Sequence, residues 1–255
     1  MTNILEIRNL CASYDEMEVL HDVSLDVRQG EVLCVVGESG SGKSTLIRTI
    51  CGDSRVKVNA GSMSFKGEML TGVANKGIKK LLGEKIGLIQ QNPEGAFNPI
   101  RPLEAQFRET VKSHGKTLDK EKLKQILETL GLSDVDRILR SRPYEMSGGM
   151  NQRIAIAASF ILEPELLLCD EITSALDVTT AIAVTDELLR LKQDSSLSIV
   201  LVTHNLGIAA NMADRIAIMY QGRIVECSEK EAILHDPQHA YTKRLLQDVP
   251  KLKVV

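Results

Sequence analysis

The run Gly37-Glu38-Ser39-Gly40-Ser41-Gly42-Lys43-Ser44-Thr45 fits Gly-x-x-x-x-Gly-Lys-Ser/Thr, a pattern whose parts have separate chemical uses. The glycines let the backbone bend until its N–H groups converge on phosphate oxygens, and the following helix start adds partial positive charge. Lys43 can reach the β and γ phosphates of a nucleoside triphosphate, and the Ser44 hydroxyl can ligate Mg2+. A second run, Met146-Ser147-Gly148-Gly149-Met150-Asn151-Gln152-Arg153, offers a hydroxyl and exposed N–H groups at another expected helix start, again suited to an anion. One chain cannot easily set both glycine turns on one γ phosphate. The economical arrangement is a head-to-tail dimer, with each nucleotide between Gly37–Thr45 of one subunit and Ser147-Gly148-Gly149 of the other.

A phosphate cradle also needs a metal anchor and a group to position water. Leu166-Leu167-Leu168-Cys169-Asp170-Glu171 reads as a buried strand ending in two acids, and such strand ends face the crevice where open α/β sheets bind ligands. Asp170 is placed to hold Mg2+ through water, and Glu171 to act as general base on the attacking water. An acidic pair after an apolar strand is a weak signal alone, and it gains weight here from Lys43 and Ser44.

These groups must be carried by alternating strands and helices. The apolar run 32–36 predicts a strand that delivers the first glycine turn to a helix over 44–50. Residues 4–10 and 19–27 alternate apolar and polar types as antiparallel strands do, with Gly30 ending the second. Further strands are expected at 61–65 and 86–89, with a short basic helix near 76–82, so a β-rich N-terminal lobe would cover the nucleotide. From about Phe97 to Arg153 the periodicity turns helical: 103–113, 120–130, 135–140, then a helix over 150–162. Gly131-Leu132-Ser133-Asp134 reads as a helix stop followed by an N-cap. Strand and helix then alternate again through 166–169, 180–191, 198–203, 207–212 and 216–220. A closing strand at 224–227 and helices at 229–234 and 241–248 complete the chain. The domain organisation expected is a core with its β lobe from 1–96 and 154–255, and a helical subdomain over 97–153 that moves Ser147-Gly148-Gly149 away from the first glycine turn.

Composition fits one large α/β domain carrying a subdomain: 255 residues, 43% of them hydrophobic. The net charge of −3 comes without a basic stretch fit to grip nucleic acid. Five cysteines are scattered without a Cys-x-x-Cys pair, which reads as reduced, buried thiols of a cytosolic protein. No N-terminal signal appears, and no apolar run approaches the ~18 residues of a membrane span.

With these motifs in order, nearly the whole chain resembles the ABC transporter ATP-binding subunits. Walker A matches Gly37 to Thr45, Walker B Leu166 to Glu171, and the signature Met146 to Met150. The D-loop matches Ser174-Ala175-Leu176-Asp177, the switch histidine His204, the Q-loop glutamine Gln91, and the adenine-stacking aromatic Tyr14. The resemblance implies a P-loop NTPase with a RecA-like core, an antiparallel β subdomain and an inserted helical subdomain, with ATP and Mg2+ as cofactors. Tyr14 would offer a flat face to adenine. Gln91 would lend its amide oxygen to the Mg2+ shell and report nucleotide state to a partner. His204 would hydrogen-bond the γ phosphate and hold Glu171 and water in line, and Asp177 would join the nucleotide interface.

Three positions depart from the family pattern. Met146 stands for the usual leucine, a volume-conserving swap, and Met150 for the common glutamine. Ile172 replaces the proline that usually follows Glu171, and losing a ring that fixes φ should free the link to the D-loop. Glu171 positioning and hydrolysis rate are the properties this change touches.

Two further segments resemble the peptide and nickel importer subfamily. One is Gln91-Asn92-Pro93-Glu94-Gly95-Ala96-Phe97-Asn98-Pro99, with an Asn-Pro at each end; the other is the tail from His235 to Leu246. Many peptide-importing relatives continue into a cysteine-bearing extension. A chain ending at Val255 looks more like the nickel-import subunit, so nickel or a metal chelate is the solute expected, with di- and oligopeptides as the alternative. His235 and His239 do not form a metal site on this reading, because Pro237 lies between them and breaks the helix that would align both rings. The resemblance implies a peripheral subunit on the cytoplasmic face of the cell membrane. Its partners would be two permease subunits, a second ATPase subunit, identical or paralogous, and indirectly an extracytoplasmic solute-binding protein. Two rival readings are an ABC ATPase acting on nucleic acid or ribosomes, which lacks its coiled coil or second cassette here, and a non-catalytic ATP-binding regulator, which rests on Ile172 alone.

Overall fold

The computed structural model describes residues 2–70, 76–193 and 195–247, and divides the chain into two compact units, Met1–Lys79 with Ser198–Val255, and Lys80–Leu197. Chain order begins with β1 (Asn3–Tyr14), β2 (Met17–Arg28), β3 (Val32–Val36), α1 (Lys43–Ile50), β4 (Lys57–Phe65), β5 (Glu68–Met69) and α2 (Lys76–Leu81). It continues with β6 (Ile86–Ile89), α3 (Leu103–Ser113), α4 (Lys120–Thr129), α5 (Val135–Arg140), α6 (Gly148–Phe160), β7 (Leu166–Asp170) and α7 (Val178–Gln193). It closes with β8 (Ser198–Thr203), α8 (Leu206–Met212), β9 (Arg215–Tyr220), β10 (Arg223–Glu229), α9 (Lys230–His235) and α10 (Ala240–Gln247). Asp248, expected to end the last helix, lies outside the described residues.

In the first unit β2, β1, β4 and β5 form an antiparallel sheet in that order, as the alternation of 4–10 and 19–27 predicts. β4 is longer than expected. Its strand pattern is legible only from Gly61, yet pairing with β1 runs back to Ser13↔Lys57 across a break in register between Arg8 and Cys11. Gly61 sits in that irregularity at φ +86, and a Cβ there would lie 2.4 Å from the Asn9 carbonyl oxygen. It is therefore a bulge glycine inside the strand rather than its beginning.

The same unit sets β3 between β8 and β9 in parallel, with Cys34 opposite Leu201 and Ile216, and β10 returns antiparallel to β9. β3 is buried throughout, as a continuous apolar run on a two-sided parallel sheet should be. Arg215 on β9 reaches back to the other sheet, with Nη1 3.2 Å from both Asp26 Oδ2 and Glu31 Oε1. Burial raises the Glu31 carboxyl, while the Arg28 N–H and the Arg215 charge pull it the other way.

The second unit packs α3 to α7 with the parallel pair β6 and β7, in the register Ile86↔Leu166 to Ile89↔Cys169. Asp119 and Asp134 cap α4 and α5 by accepting the N–H groups of Lys122 and Arg137, so the N-cap read at Asp134 is observed. Phe107, Leu123, Leu127, Ile154 and Leu188 are all buried to within 1%. Of the cysteines, Cys34 and Cys169 are buried on β3 and β7, whereas Cys11, Cys51 and Cys227 are half-buried, so the expectation of buried thiols holds for two of the five.

Candidate nucleotide site

In the first unit, β3 ends at Val36 and the chain turns through Gly37 to Gly42 into α1. Two glycines are sterically required. A Cβ on Gly37 would meet the Met219 carbonyl oxygen at 2.2 Å, and Gly42, the N-cap of α1, lies at φ +105 with Met219 Cε 3.0 Å from the Cβ position. The end of β9 thus presses on the outside of the loop. The Gly222 N–H donates to the Ser41 carbonyl at 2.9 Å. Lys43 is buried and Nζ donates to the carbonyls of Gly37 and Glu38, both at 2.8 Å. The cation is folded onto its own loop.

The loop suits an anion on two observations. The first turn of α1 carries no acidic side chain to compete with one. The buried Ser41 Oγ has no hydrogen-bond partner among the described residues, although buried hydroxyls ordinarily find one. Tyr14 ends β1 partly exposed, its hydroxyl accepting from Arg48 Nη1 at 3.2 Å. His204 is exposed just after β8, beside Asn205, whose side chain caps α8 through the N–H groups of Gly207 and Ile208.

The remaining expected residues lie in the second unit. Asp170 ends β7, and Glu171 adopts φ +49. A left-handed backbone is uncommon for a residue with a long side chain and marks a fixed turn. The turn is closed by the Ser174 N–H donating to the Glu171 carbonyl at 3.1 Å. Ile172 is 1% exposed, so the freedom expected from the missing proline is taken away by burial of the side chain. Gln91 Nε2 donates to Glu171 Oε2 and to Ser174 Oγ, both at 3.4 Å. The amide therefore meets the candidate base through its nitrogen.

Asp177 caps α7, taking the Thr180 N–H at 3.0 Å and the Thr180 hydroxyl at 2.7 Å. These bonds hold its carboxyl below the ordinary range. The signature helix begins at Gly148, not Met150, so both glycines belong to its first turn, and Ser147 is its N-cap with Oγ accepting from the Met150 N–H at 3.3 Å. One lone pair of the hydroxyl expected for an anion is thus already used by the helix, while Ser147 and Gly148 remain exposed. Arg153, one turn further, makes a two-pronged pair with Glu187 of α7 at 2.7 and 2.9 Å. Glu187 has no counterpart in the motif reading. It looks like an ordinary polar position of a helix.

His235 Nε2 lies 3.2 Å from Glu231 Oε2, and His239 Nδ1 accepts the Tyr241 N–H. Each ring is engaged separately.

The ABC transporter family pattern matches residues 20–174. The chain is 38% identical to the oligopeptide transport ATP-binding protein AmiE of Streptococcus pneumoniae, over 98% of this chain and 73% of that one. It is 36% identical to the dipeptide transport ATP-binding protein DppD of Bacillus subtilis, over 99% and 78%. Among solved structures it resembles cbiO1 of Clostridium perfringens, part of the ABC transporter complex cbiONQ, with TM-score 0.81 and 23% identity over 92% of each chain. It also resembles the ATP-binding cassette MJ0796 in its dimeric form bound to ADP and phosphate, with TM-score 0.76 and 24% identity over 89% of this chain and 98% of that one. The likeness to the two solved structures carries the fold, and the sequence matches carry the family. This chain belongs to the ABC transporter family and is one of its ATP-hydrolysing subunits.

Proposed function

We propose that the chain is the motor of an importer for di- or oligopeptides. The observation that carries the solute class is the 38% identity, across 98% of the chain, to a protein named for oligopeptide transport, supported by the 36% identity to one named for dipeptides. Nickel or a metal chelate, the solute expected from the tail, has no support among these relatives.

In this reading Lys43 leaves the Gly37 and Glu38 carbonyls for the β and γ phosphates, an exchange of neutral acceptors for charged ones that favours the bound state. The N–H groups of Gly40 to Thr45, with Glu38, Ser39 and Gly37 shaping the turn, cradle the phosphates, and Tyr14 stacks on the base. Ser44, Asp170 and Gln91 are the groups suited to hold Mg2+, which supplies neutralising charge to the phosphates. Glu171 accepts the proton of the attacking water and His204 keeps the pair aligned. Gln91 bonds Glu171 Oε2 in this conformation, so a shift of the Q-loop would change the surroundings of the proposed base and could link it to a partner. Ser147, Gly148, Gly149 and Asp177 serve the nucleotide of a second ATPase subunit, identical or paralogous. No helix among the described residues is long and apolar enough to cross a membrane, and the chain acts peripherally at the cytoplasmic face against two permease subunits. An extracytoplasmic binding protein presents the solute.

The test is ATP hydrolysis by the complete transporter in vesicles, with the binding protein loaded in turn with short peptides, nickel and a nickel chelate. Stimulation by peptides is the expected result. Stimulation by nickel species alone overturns the solute assignment and leaves the motor role in place.

A further inference from the structure

We infer that the terminal helix α10 is a positioning element of the phosphate loop, acting through Tyr241 and Arg244 on Glu38. The Glu38 backbone N–H donates to the Tyr241 hydroxyl at 3.2 Å, and Arg244 Nη2 lies 3.5 Å from Glu38 Oε1. These residues stand more than two hundred positions apart in sequence, 38 against 241 and 244.

The contact is built rather than incidental. Tyr241 is 7% exposed and its ring lies 4.2 Å from that of Tyr220, tilted by 30°, so the two rings are in close contact. Tyr220 ends β9, directly after Met219, whose carbonyl fills the space beside Gly37. The approach to α10 is pinned as well: the Glu226 carboxylate accepts the N–H groups of Gln238 at 2.7 Å and His239 at 3.1 Å. Burial alone would raise the Glu226 carboxyl, and its hydrogen bonds outweigh that and hold it below the ordinary range. Burial pushes the Tyr241 phenol up, so it stays protonated at neutral pH.

The physical consequence concerns the order of the loop before nucleotide arrives. A glycine-rich turn pays conformational entropy when its N–H groups are fixed around phosphates. A hydroxyl that holds the Glu38 N–H, one residue after Gly37, removes part of that freedom in advance. The tyrosine bonds the loop backbone at Glu38 and stacks on Tyr220, so in this inference it acts on affinity and not on the chemical step.

This inference rests on Gly37–Thr45 being the ATP site. Binding of a fluorescent ATP analogue with Mg2+ to the full chain separates the two claims. Wild-type protein should bind and Lys43→Ala should not; if wild type fails to bind, the site assignment itself falls. Tyr241→Phe keeps the ring against Tyr220 and removes only the hydroxyl. We expect its dissociation constant to rise about three- to tenfold, the range of one hydrogen bond, and the KM for ATP to rise with it while kcat stays within about twofold. The unfolding midpoint without nucleotide should fall only by what one lost hydrogen bond costs, and the rise in midpoint on adding ATP should shrink. Arg244→Ala, breaking only an exposed pair, should show the same pattern more weakly. By linkage, ATP should slow amide exchange in α10 of the wild type. Tyr241→Phe with wild-type affinity overturns the inference, and so does a variant whose nucleotide-free stability and kcat fall together with its affinity.

Discussion

Glu171 is the residue on which the hydrolytic reading turns, and its environment is specific: a left-handed backbone, a turn closed by Ser174, and an amide hydrogen bond from Gln91. Glu171→Gln keeps the shape and removes the proposed base. Its turnover should fall by about 10²–10⁴-fold, the usual contribution of a general base, while ATP binding, measured with the same fluorescent analogue, stays near wild type. Turnover that survives the change would assign the base elsewhere. The motifs single out Lys43, Ser44, Asp170 and Glu171 as candidates because the chemistry they suit depends on residue type and spacing. They could not show that Lys43 is folded onto Gly37 and Glu38, or that Gln91 meets Glu171 by its nitrogen, since rotamers answer to neighbours far along the chain.

At the scale of elements, the Arg153–Glu187 pair ties the signature helix α6 to α7, the helix that Asp177 caps. Its side chains are 18% and 11% exposed, so removal of one partner leaves a largely desolvated charge. Glu187→Ala should cost about 2–3 kcal/mol in denaturant unfolding, somewhat under the range for fully buried pairs. Replacing both partners by apolar residues, Arg153→Met with Glu187→Leu, should cost less than the single change. A double-mutant cost equal to the sum of the two single-mutant costs would mean that the pair does not interact. A second prediction concerns the turn after α1, where the Arg55 guanidinium and N–H push the Asp53 carboxyl down to about 2. A depressed carboxylate contributes stability above its unfolded value near 4 and loses it as pH falls through the folded one. The penalty for Arg55→Ala should therefore be largest at neutral pH and shrink between about pH 4 and pH 2, followed by denaturant titrations at stepped pH. A penalty that is flat across this window would exclude the pair as its source.

For the whole molecule, the proposed function predicts an ATP-dependent dimer built on the two glycine turns. Glu171→Gln protein with Mg-ATP should elute from a sizing column at twice the subunit mass, alone or with its paralogous partner. Adding Ser147→Arg, which sets a long cation at the exposed start of α6, should return it to monomer with little change in its own ATP affinity. A dimer that persists with Ser147→Arg would mean that the signature turn is not at the interface.

The strands β3, β6 and β8 and the helices α3 and α5 stand where apolar runs and periodicity put them, because each buries a local pattern that needs no distant partner to be read. The glycine-rich turn between β3 and α1 and the acids at the end of β7 likewise stand where the sequence puts them. Sequence failed where an outcome depends on pairing. β4 runs back to Lys57 because β1 offers it partners there, α6 starts two residues early because Ser147 caps it, and Ile172 is constrained because it is buried. The grip of α10 on Glu38 belongs to the same class. The residues themselves determined which chemistry this chain is equipped for; only the fold, by bringing residues distant in sequence to within a hydrogen bond, decided which groups hold that equipment in place.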